Sequence, residues 1–264
     1  MHIDLTGRTA VVTGSTAGIG LAIASGLAGT GAHVVITGRT QARVDEAIAT
    51  VAAAVAGANL SGVAADLGTL EGAQQLIAQV PDADILINNL GIFEPKAFFD
   101  IPDSDWVRFF EVNVLSGVRL SRHYAQGMAK RGWGRIQFVS SESGVQIPAE
   151  MVHYGMSKTA QLAVSRGLAE TLAGTGVTVN AILPGPTRSE GVSEFFGKIA
   201  AEQGVSQAEV ERDFIQTHRP TSLIKRLATV EEVANLAVYL ASEQASATTG
   251  AAMRVDGGVV RSVI

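Results

Sequence analysis

Tyr154 and Lys158 are two titratable residues that stand four positions apart in the segment Tyr-Gly-Met-Ser-Lys. If this segment is helical, both side chains project from one face, with their Cβ atoms about 5–6 Å apart. A phenol ordinarily titrates near pH ~10, so it transfers protons at neutral pH only when a nearby cation stabilises the phenolate. The pair predicts an acid/base centre, although this spacing alone is also common in solvent-exposed pairs.

A serine and an asparagine could take part in the same chemistry. Ser141 lies 13 residues before Tyr154, at the end of the predicted strand Ile136–Ser140. Open α/β folds bind ligands at the carboxyl edge of the sheet, where this hydroxyl would lie, although a helix cap or a turn is the alternative. Asn113 interrupts an apolar helical stretch. An amide is unfavourable there unless it is bonded, so it could anchor a kink or a water molecule.

A glycine-rich turn, Thr13–Gly20, follows the first predicted strand and opens the first predicted helix. Gly14 permits a tight turn, Gly18 lets the backbone approach a pyrophosphate, and Gly20 lets the helix pack closely on the sheet. The positive end of the helix dipole would face the phosphates. The pattern G-x-x-x-G-x-G favours a nucleotide site over a purely structural turn.

Short β-branched runs alternate with longer helical patterns along the chain, which is typical of βαβ units. No repeat or composition shift divides the 264 residues. We therefore predict a single-domain α/β Rossmann fold over 1–264, with a doubly wound parallel sheet of about seven strands flanked by helices. The predicted strands are Thr9–Val12, His33–Thr37, Leu60–Ala65, Ile85–Ile87, Ile136–Ser140, Val177–Ile182 and Ala252–Val255, and the predicted helices are 18–30, 40–56, 70–79, 104–130, 154–173 and 230–241.

Residues 184–225 break this alternation, because they contain no predicted strand. An insertion of this length in a compact domain is often a lid or a binding loop, and a surface helical excursion is the alternative. The favoured prediction is a substrate lid at about 184–225.

Composition argues against several other classes of function. The net charge of −5 is unfavourable for a nucleic-acid partner. The chain has no cysteine and its five histidines lack ligand-like spacing, so no metal is expected. No G-x-S-x-G element points to a serine hydrolase. Without a signal peptide or an apolar run of about 18 residues, the expectation is a cytoplasmic protein with no membrane partner.

These motifs, in this order, resemble the short-chain dehydrogenase/reductase family, in its compact branch of roughly 250 residues. The resemblance covers essentially the whole chain and extends to carbonyl reductases similar to 3-oxoacyl-carrier-protein reductases. Besides the residues above, it rests on Asp66, Asn88-Asn89-Leu90-Gly91, Pro184-Gly185 and Asp256-Gly257-Gly258, which follow predicted strands.

The resemblance implies an oxidoreductase that transfers hydride between a nicotinamide cofactor and a carbonyl or secondary alcohol, acting on the CH–OH group of donors. Tyr154 would be the general acid/base, and Ser141 would hold the substrate oxygen. Lys158 would bind the nicotinamide ribose and lower the tyrosine pKa, and Asn113 would hold a water of the proton relay. Two hydroxyl donors would stabilise the charge that grows on the substrate oxygen.

The implied cofactor contacts extend over several strand ends. Asp66 would contact the adenine, and Asn89 and Gly91 would flank the adenine-side ribose. A second group would line the nicotinamide, namely Pro184, Gly185 and Thr187. The full set is Gly14, Ser15, Thr16, Gly18, Ile19, Gly20, Arg39, Asp66, Leu67, Asn89, Leu90, Gly91, Tyr154, Lys158, Pro184, Gly185 and Thr187.

NADP(H) is predicted to be preferred, with NAD(H) possible. Gly38 takes the position after the second predicted strand where NAD-preferring sites place an acid, and Arg39 follows it. A guanidinium can bind the 2′-phosphate through charge-assisted hydrogen bonds. Ala17 stands where NADP-preferring members often carry a basic residue, so it offers no second cation.

Three further positions have open interpretations. Leu90 replaces the usual alanine of the family element, and either narrows the cofactor site or packs. Glu142 favours a polar or cationic substrate if it faces the pocket, and is otherwise solvent-facing. His153 precedes Tyr154, but adjacent helical residues point about 100° apart, which favours a structural role.

The alternative from another functional class is a non-catalytic dinucleotide sensor on the same fold. Such proteins commonly lose the tyrosine or the lysine, both of which are present here. The partners expected are a small carbonyl or alcohol substrate and further copies of the chain, in a homotetramer. The assembly is inferred from apolar residues on two helices and at the C-terminus: Leu115, Val118, Leu120, Leu162, Val164, Leu168, Val259, Val260, Val263 and Ile264.

Overall fold

The computed structural model describes residues 2–263, and within them seven parallel strands form one sheet. The strands are β1 (Thr9–Val12), β2 (His33–Gly38), β3 (Asn59–Ala64), β4 (Ile85–Asn88), β5 (Gly134–Val139), β6 (Val177–Pro184) and β7 (Ala252–Val255). Their order is β3-β2-β1-β4-β5-β6-β7. The predicted doubly wound parallel sheet is confirmed.

Helices cover both faces of the sheet. In the described part of the chain they are α1 (Gly18–Ala28), α2 (Gln41–Ala54), α3 (Leu70–Gln79), α4 (Asp103–Phe110), α5 (Ser116–Arg131), α6 (Val152–Thr171), α7 (Glu190–Gln203), α8 (Gln207–His218) and α9 (Val230–Ala241). The predicted helices over 70–79 and 230–241 have these same bounds. No helix in residues 2–263 is long and apolar enough to cross a membrane.

Successive residues of the inner strands enter two different apolar layers. Ala10 and Val12 of β1 pack in the layer that contains α1 and α9, whereas Val11 packs in the layer that contains α3 and α5. All three are fully buried. Burial on both faces explains why these strands are continuously apolar in sequence.

The strand order reverses at β1, which pairs with β2 on one side and with β4 on the other. The connections that leave these strands therefore diverge to opposite faces of the sheet. A crevice forms at the carboxyl ends of β1 and β4, where doubly wound folds bind their ligands. The predicted glycine turn and the loop that begins at Asn89 border this crevice.

The helix predicted over 104–130 is continuous, but it is not α-helical throughout. A π-helical turn, Glu111–Leu115, separates α4 from α5. Such a turn inserts an extra residue into a helix. Asn113 stands in it, where Ile92 N donates to its Oδ1 (2.8 Å) and its Nδ2 donates to Ile92 O (3.0 Å). These bonds satisfy the donor and the acceptor of the Asn113 side-chain amide inside the helix, as expected of a residue that anchors a kink.

Two helices, α7 and α8, occupy most of the segment at 184–225, which was predicted to be a lid or binding loop. Its helices α7 and α8 begin at the serine caps Ser189 and Ser206, and the rings of Phe196 and Phe214 pack 5.1 Å apart between them. The segment therefore has the helical form of the alternative prediction. Its side chains also line the cavity described below.

The C-terminal tail differs from the expectation. Val259 and Val260 are buried within the chain, because Asp256 accepts hydrogen bonds from Gly258 N (3.0 Å) and Val260 N (2.9 Å). They therefore have an intrachain reason to be apolar, and so does Leu120, which is fully buried in the core. Val263 is exposed, and Ile264 lies outside the described residues.

Candidate active site

A cavity of about 280 Å³ lies at the carboxyl ends of β4, β5 and β6, beneath α7 and α8. Nine of the predicted site residues line it: Ile19, Asn89, Gly91, Ser141, Tyr154, Lys158, Pro184, Gly185 and Thr187. Apolar side chains contribute much of the remaining wall, including Phe93, Met151, Val192, Phe195, Phe196 and Phe214. An apolar cavity with a few convergent polar groups is suited to a small organic molecule.

Ser141 stands at the start of a short 3₁₀ turn after β5. Its Oγ accepts a hydrogen bond from Ser143 N (3.1 Å) and donates one to Glu142 Oε2 (2.6 Å). The predicted site role and the alternative of a capping serine are therefore compatible, because the residue caps the turn and also lines the cavity.

Tyr154 and Lys158 lie on α6, as the spacing predicts. Lys158 Nζ is 5.6 Å from the centre of the Tyr154 ring and donates to Val139 O (2.9 Å). Burial lowers the pKa of Lys158 to about 7. Burial also raises the pKa of the Tyr154 phenol, and a hydrogen bond with Ser141 opposes that rise. Negative charge brought into the cavity would favour the ammonium form of Lys158.

Asn113 is buried behind the cavity wall. Its Nδ2 also donates to Ser157 Oγ (2.9 Å), and its main-chain oxygen accepts from Gln161 Nε2 (2.7 Å). A Cβ atom built on Gly91 would lie 3.3 Å from Lys158 Nζ and 3.5 Å from Asn113 Oδ1. Asn113 and Lys158 therefore both lie next to Gly91. Asn113 holds the loop that contains Gly91 through its hydrogen bonds to Ile92.

The glycine turn has the geometry of an anion site. Gly14 and Gly18 have φ angles of +60° and +56°, which favour glycine. A Cβ on Gly20 would lie 2.3 Å from Gly14 O, so only glycine allows this approach. At the N-cap of α1, the methyl side chain of Ala17 cannot accept a hydrogen bond from the first-turn amides. These amides suit the pyrophosphate of a dinucleotide.

Thr13 is a residue that the sequence reasoning missed. Its hydroxyl accepts from both Asn89 N (2.8 Å) and Leu90 N (2.9 Å), and Asn89 Nδ2 donates to Thr13 O (2.9 Å) and Gly14 O (3.0 Å). Thr13 and Asn89 thus join the glycine turn to the loop after β4. The only signal in the sequence was the position of Thr13 at the start of the turn.

Ser15 was predicted to contact the cofactor, but its geometry argues against a direct contact. It is fully buried, its hydroxyl donates to Val12 O (2.7 Å) and accepts from Thr37 N (2.9 Å), and its amide donates to Thr37 O (3.1 Å). Because these polar groups are used within the fold, Ser15 supports the turn.

Three of the residues predicted for the adenosine side, Arg39, Asp66 and Leu67, lie outside the cavity lining, whereas Asn89 and Gly91 line it. Arg39 and Asp66 are exposed at the ends of β2 and β3, whereas Leu67 is buried in the core. A Cβ on Gly38 would lie 2.4 Å from Thr16 Cγ2. Thr16 therefore occupies the space that a side chain at position 38 would need.

Two glycine-containing loops pack against each other at the edge of the cavity. A Cβ on Gly185 would lie 2.6 Å from Asp256 O, so the loop after β6 packs directly on the turn after β7. Thr187 Oγ1 donates to Gly185 O (2.9 Å). Leu90 packs partly against the core layer of α3 and α5, which fits the interpretation that it simply packs.

Arg219 belongs to the segment predicted as a lid, but the sequence indicated neither its partner nor its role. Its Nε donates to Glu142 Oε1 (2.8 Å), and both side chains are buried at the cavity wall. The solvent-facing interpretation of Glu142 was therefore wrong, and its charge is already paired. His153 is buried against Phe109, with 4.1 Å between ring centres.

Residues 2–263 contain no group of three or more acidic, histidine or cysteine side chains arranged to hold a metal ion. The polar side chains that line the cavity carry hydroxyl, amide, amine, guanidinium and carboxylate groups.

Comparison with known proteins assigns the family. A family model described as "Enoyl-(Acyl carrier protein) reductase" matches residues 14–260. The chain belongs to the short-chain dehydrogenase/reductase family. It is 49% identical over 263 residues to an uncharacterised oxidoreductase of Bacillus subtilis, YvaG, with 100% of each chain covered. It is 35% identical to D-β-hydroxybutyrate dehydrogenase of Rhizobium meliloti, over 95% of this chain and 98% of that one.

A solved structure extends the comparison. L-sorbose reductase of Gluconobacter frateurii, in complex with NADPH and L-sorbose, superposes with a TM-score of 0.93 at 32% identity, and 100% of each chain is covered. This short-chain dehydrogenase/reductase is thus an oxidoreductase of the class that acts on the CH–OH group of donors, with a nicotinamide dinucleotide cofactor and a small-molecule substrate.

Proposed function

We propose that this short-chain dehydrogenase/reductase interconverts a carbonyl compound and a secondary alcohol, with Tyr154 as the general acid/base. The observation that carries the proposal is the convergence of Ser141, Tyr154 and Lys158 on one cavity. Two hydroxyls and an amine at the carboxyl edge of the sheet form a donor set that can polarise a carbonyl oxygen.

Each polar side chain has a separate part in the proposed reaction. During reduction, Tyr154 donates its proton to the substrate oxygen while Ser141 donates a hydrogen bond to the same atom. Lys158, as an ammonium, stabilises the tyrosinate that remains. The nicotinamide supplies or accepts the hydride when it is bound. Asn113 fixes the loop beside Lys158, and a water near it would extend the proton relay.

The crevice at β1 and β4 would hold the cofactor. The amides at the start of α1 would bind the pyrophosphate, with Gly14, Thr16, Gly18 and Ile19 around it. Asp66 and Leu67 would border the adenine, and the residues after β4 and β6 would border the two ribose–base halves: Asn89, Leu90, Gly91, Pro184, Gly185 and Thr187. Gly20 and Ser15 would support the turn from behind.

NADP(H) is the proposed preferred cofactor. The packing of Thr16 over Gly38 supports this, because it opposes the acidic side chain with which NAD-preferring sites bind the ribose hydroxyls. Arg39 follows Gly38, is exposed, and can direct its guanidinium to a 2′-phosphate.

The proposed assembly is a homotetramer. Its support lies in exposed apolar side chains on α4 and on the turn before it: Phe98, Phe99, Val107 and Phe110, which are 52%, 97%, 62% and 41% exposed. Clusters of this kind mark interfaces. The helical segment 184–225 is the proposed lid, because α7 and α8 form one wall of the cavity.

The test is a spectrophotometric screen at the absorbance band of the reduced nicotinamide. Purified protein is assayed with NADPH and NADH against ketones, ketoses and 3-oxo acids, and with the oxidised cofactors against the matching alcohols. We expect carbonyl-dependent consumption of the reduced cofactor. A protein that binds the cofactor with a measurable affinity, yet turns over none of a broad panel, would contradict the proposal.

A further inference from the structure

Glu142 and Arg219 form a buried ion pair in the wall of the cavity. Arg219 Nε lies 2.8 Å from Glu142 Oε1, and the two side chains are only 8% and 5% exposed. Glu142 directly follows Ser141, and Arg219 directly follows the last residue of α8. The pair therefore connects the loop after β5 to the end of the helical segment that covers the cavity.

Burying two charges costs free energy, which their attraction recovers only with good geometry and additional hydrogen bonds. Arg219 Nη1 donates to His218 O (2.8 Å) and lies 3.2 Å from Glu150 Oε1, and Glu142 Oε2 accepts from Ser141 (2.6 Å). Uncharged side chains of similar size often fill such a space with equal or greater stability of the folded protein. The arrangement is therefore better explained by a role in the site than by stability.

The direction of one hydroxyl group depends on this pair. A serine hydroxyl has a single proton to donate. In the structure Ser141 gives that proton to Glu142, and its oxygen accepts from Ser143 N. Tyr154 competes for the same proton when its phenol ionises. An ionised carboxylate can only accept, whereas a protonated carboxyl can donate back. What Ser141 presents to the cavity therefore depends on the protonation of Glu142.

We propose that Glu142 is a positioning residue that sets the direction of the Ser141 hydroxyl, and that Arg219 keeps Glu142 in its accepting, ionised form. The proposal rests on the proposed role of Ser141 at the substrate oxygen. While Glu142 is ionised, Ser141 must give up this hydrogen bond before it can donate to the substrate oxygen, which lessens the net stabilisation of the transition state. A protonated Glu142 donates to Ser141 instead and leaves the serine proton free for the substrate oxygen.

The titratable and charged groups that face Glu142 come from three elements. Arg219 follows α8, Tyr154 lies on α6, and Glu150, before α6, reaches the pair through Arg219. Replacing Arg219 by an apolar residue leaves Glu142 buried beside Ser141 and Tyr154 without its cation. A buried carboxyl in that state takes up a proton more readily than an exposed one.

The first experiment compares pH profiles of kcat/KM for wild type, Arg219→Met and the double variant Glu142→Gln/Arg219→Met. We expect Arg219→Met to show a new ionisation between about pH 5 and about pH 8, with kcat/KM roughly tenfold or more higher on its acidic side, where a protonated Glu142 frees the Ser141 hydroxyl. The double variant lacks the titrating carboxyl, so the new ionisation should be absent from it. A profile of Arg219→Met parallel to wild type would overturn the proposal.

Two matched variants separate this role from a structural one. Arg219→Lys retains a cation beside Glu142 and should show no new ionisation. Arg188→Met removes another arginine of the same segment, whose Nη2 lies 2.6 Å from Glu211 Oε2 on the surface, and it should not change the shape of the profile. A new ionisation in either variant, or one that persists in the double variant, would count against Glu142.

The second experiment needs no substrate, so that its failure can be told apart from a failure of the proposed function. Urea midpoints of Arg219→Met and of the double variant are measured across the same pH range. In Arg219→Met the folded state would keep the proton of Glu142 to a higher pH than the unfolded chain. Its midpoint should therefore fall relative to the double variant as pH rises. Midpoints that stay parallel would overturn the proposal, whatever the activity assays show.

Discussion

Lys158 Nζ donates a hydrogen bond of 2.9 Å to the main-chain oxygen of Val139, at the end of β5. This bond holds the amine in the cavity wall, 5.6 Å from the centre of the Tyr154 ring. Burial lowers the pKa of the amine from 10.5 to about 7. The position beside the tyrosine is therefore obtained at a cost to the stability of the folded chain.

That cost can be measured. Between about pH 7 and pH 10.5 the unfolded chain binds a proton at Lys158 that the folded chain has lost, so stability due to this residue rises with pH in that window. We expect Lys158→Met to be more stable than wild type at pH ~7, by on the order of 1–3 kcal/mol, with the difference shrinking toward pH ~10. Urea unfolding at several pH values checks this. The exposed control Lys130→Met should show no such trend, and a destabilised Lys158→Met at neutral pH would contradict the prediction.

Tyr154→Phe tests the acid/base assignment. The phenylalanine keeps the ring packing but cannot donate a proton, so kcat should fall roughly 10³-fold or more while cofactor binding stays near wild type. Steady-state kinetics and a cofactor titration measure the two effects. Tyr239→Phe, on α9, serves as the control. Activity above about a tenth of wild type in Tyr154→Phe would refute the assignment.

Arg39→Ala tests the cofactor preference. Charge-assisted hydrogen bonds are worth roughly 1.5–3 kcal/mol each, so the ratio of kcat/KM for NADPH over NADH should fall by about one to two decades. Arg122→Ala, on the exposed face of α5, makes the same change of charge away from the crevice. A wild type that uses NADH equally well, or a preference unchanged by Arg39→Ala, would show that the selectivity does not depend on Arg39.

Val107→Asp tests the assembly. A carboxylate on the exposed apolar face of α4 should disfavour the burial of that face against another copy. Light scattering at micromolar concentration should show a tetramer for wild type and smaller species for the variant. Leu70→Asp introduces the same charge at a 49% exposed leucine on α3 and should leave the assembly intact. A monomeric wild type would contradict the proposal.

The strands and helices could be predicted from the sequence because the patterns that indicate them are local. β1 and β7 have the predicted bounds, and α9 begins at a threonine cap, Thr229, with Glu232 completing a capping box. The site residues that follow strands were equally accessible, since every parallel strand delivers its carboxyl end to the same edge of the sheet. Asn89, Ser141 and Gly185 all reached the cavity for this reason.

The features that could not be predicted from the sequence are those that depend on contacts with residues far away along the chain. Arg219 meets Glu142 across 77 positions, and an arginine in a polar helical stretch carries no local sign of burial. Val259 and Val260 were read as an exposed tail because the hydrogen bonds of Asp256 that fold them inward belong to a tight turn. Ser15 looked like a ligand-binding hydroxyl because its partner Thr37 lies on another strand.

The π-helical turn at Glu111–Leu115 marks a point where the chain length can differ by one residue without turning α4 against α5. Deleting one residue there would restore regular α-helical spacing. Leu120, Tyr124 and Met128 could then stay in the core while Phe109 kept its contact with His153. The same deletion within the regular part of α5 would rotate the two ends of the helix against each other by about 100°. A deletion in the turn should therefore cost less stability than one in α5, but it would disturb the hydrogen bonds of Asn113 to Ile92 that hold the loop beside Lys158.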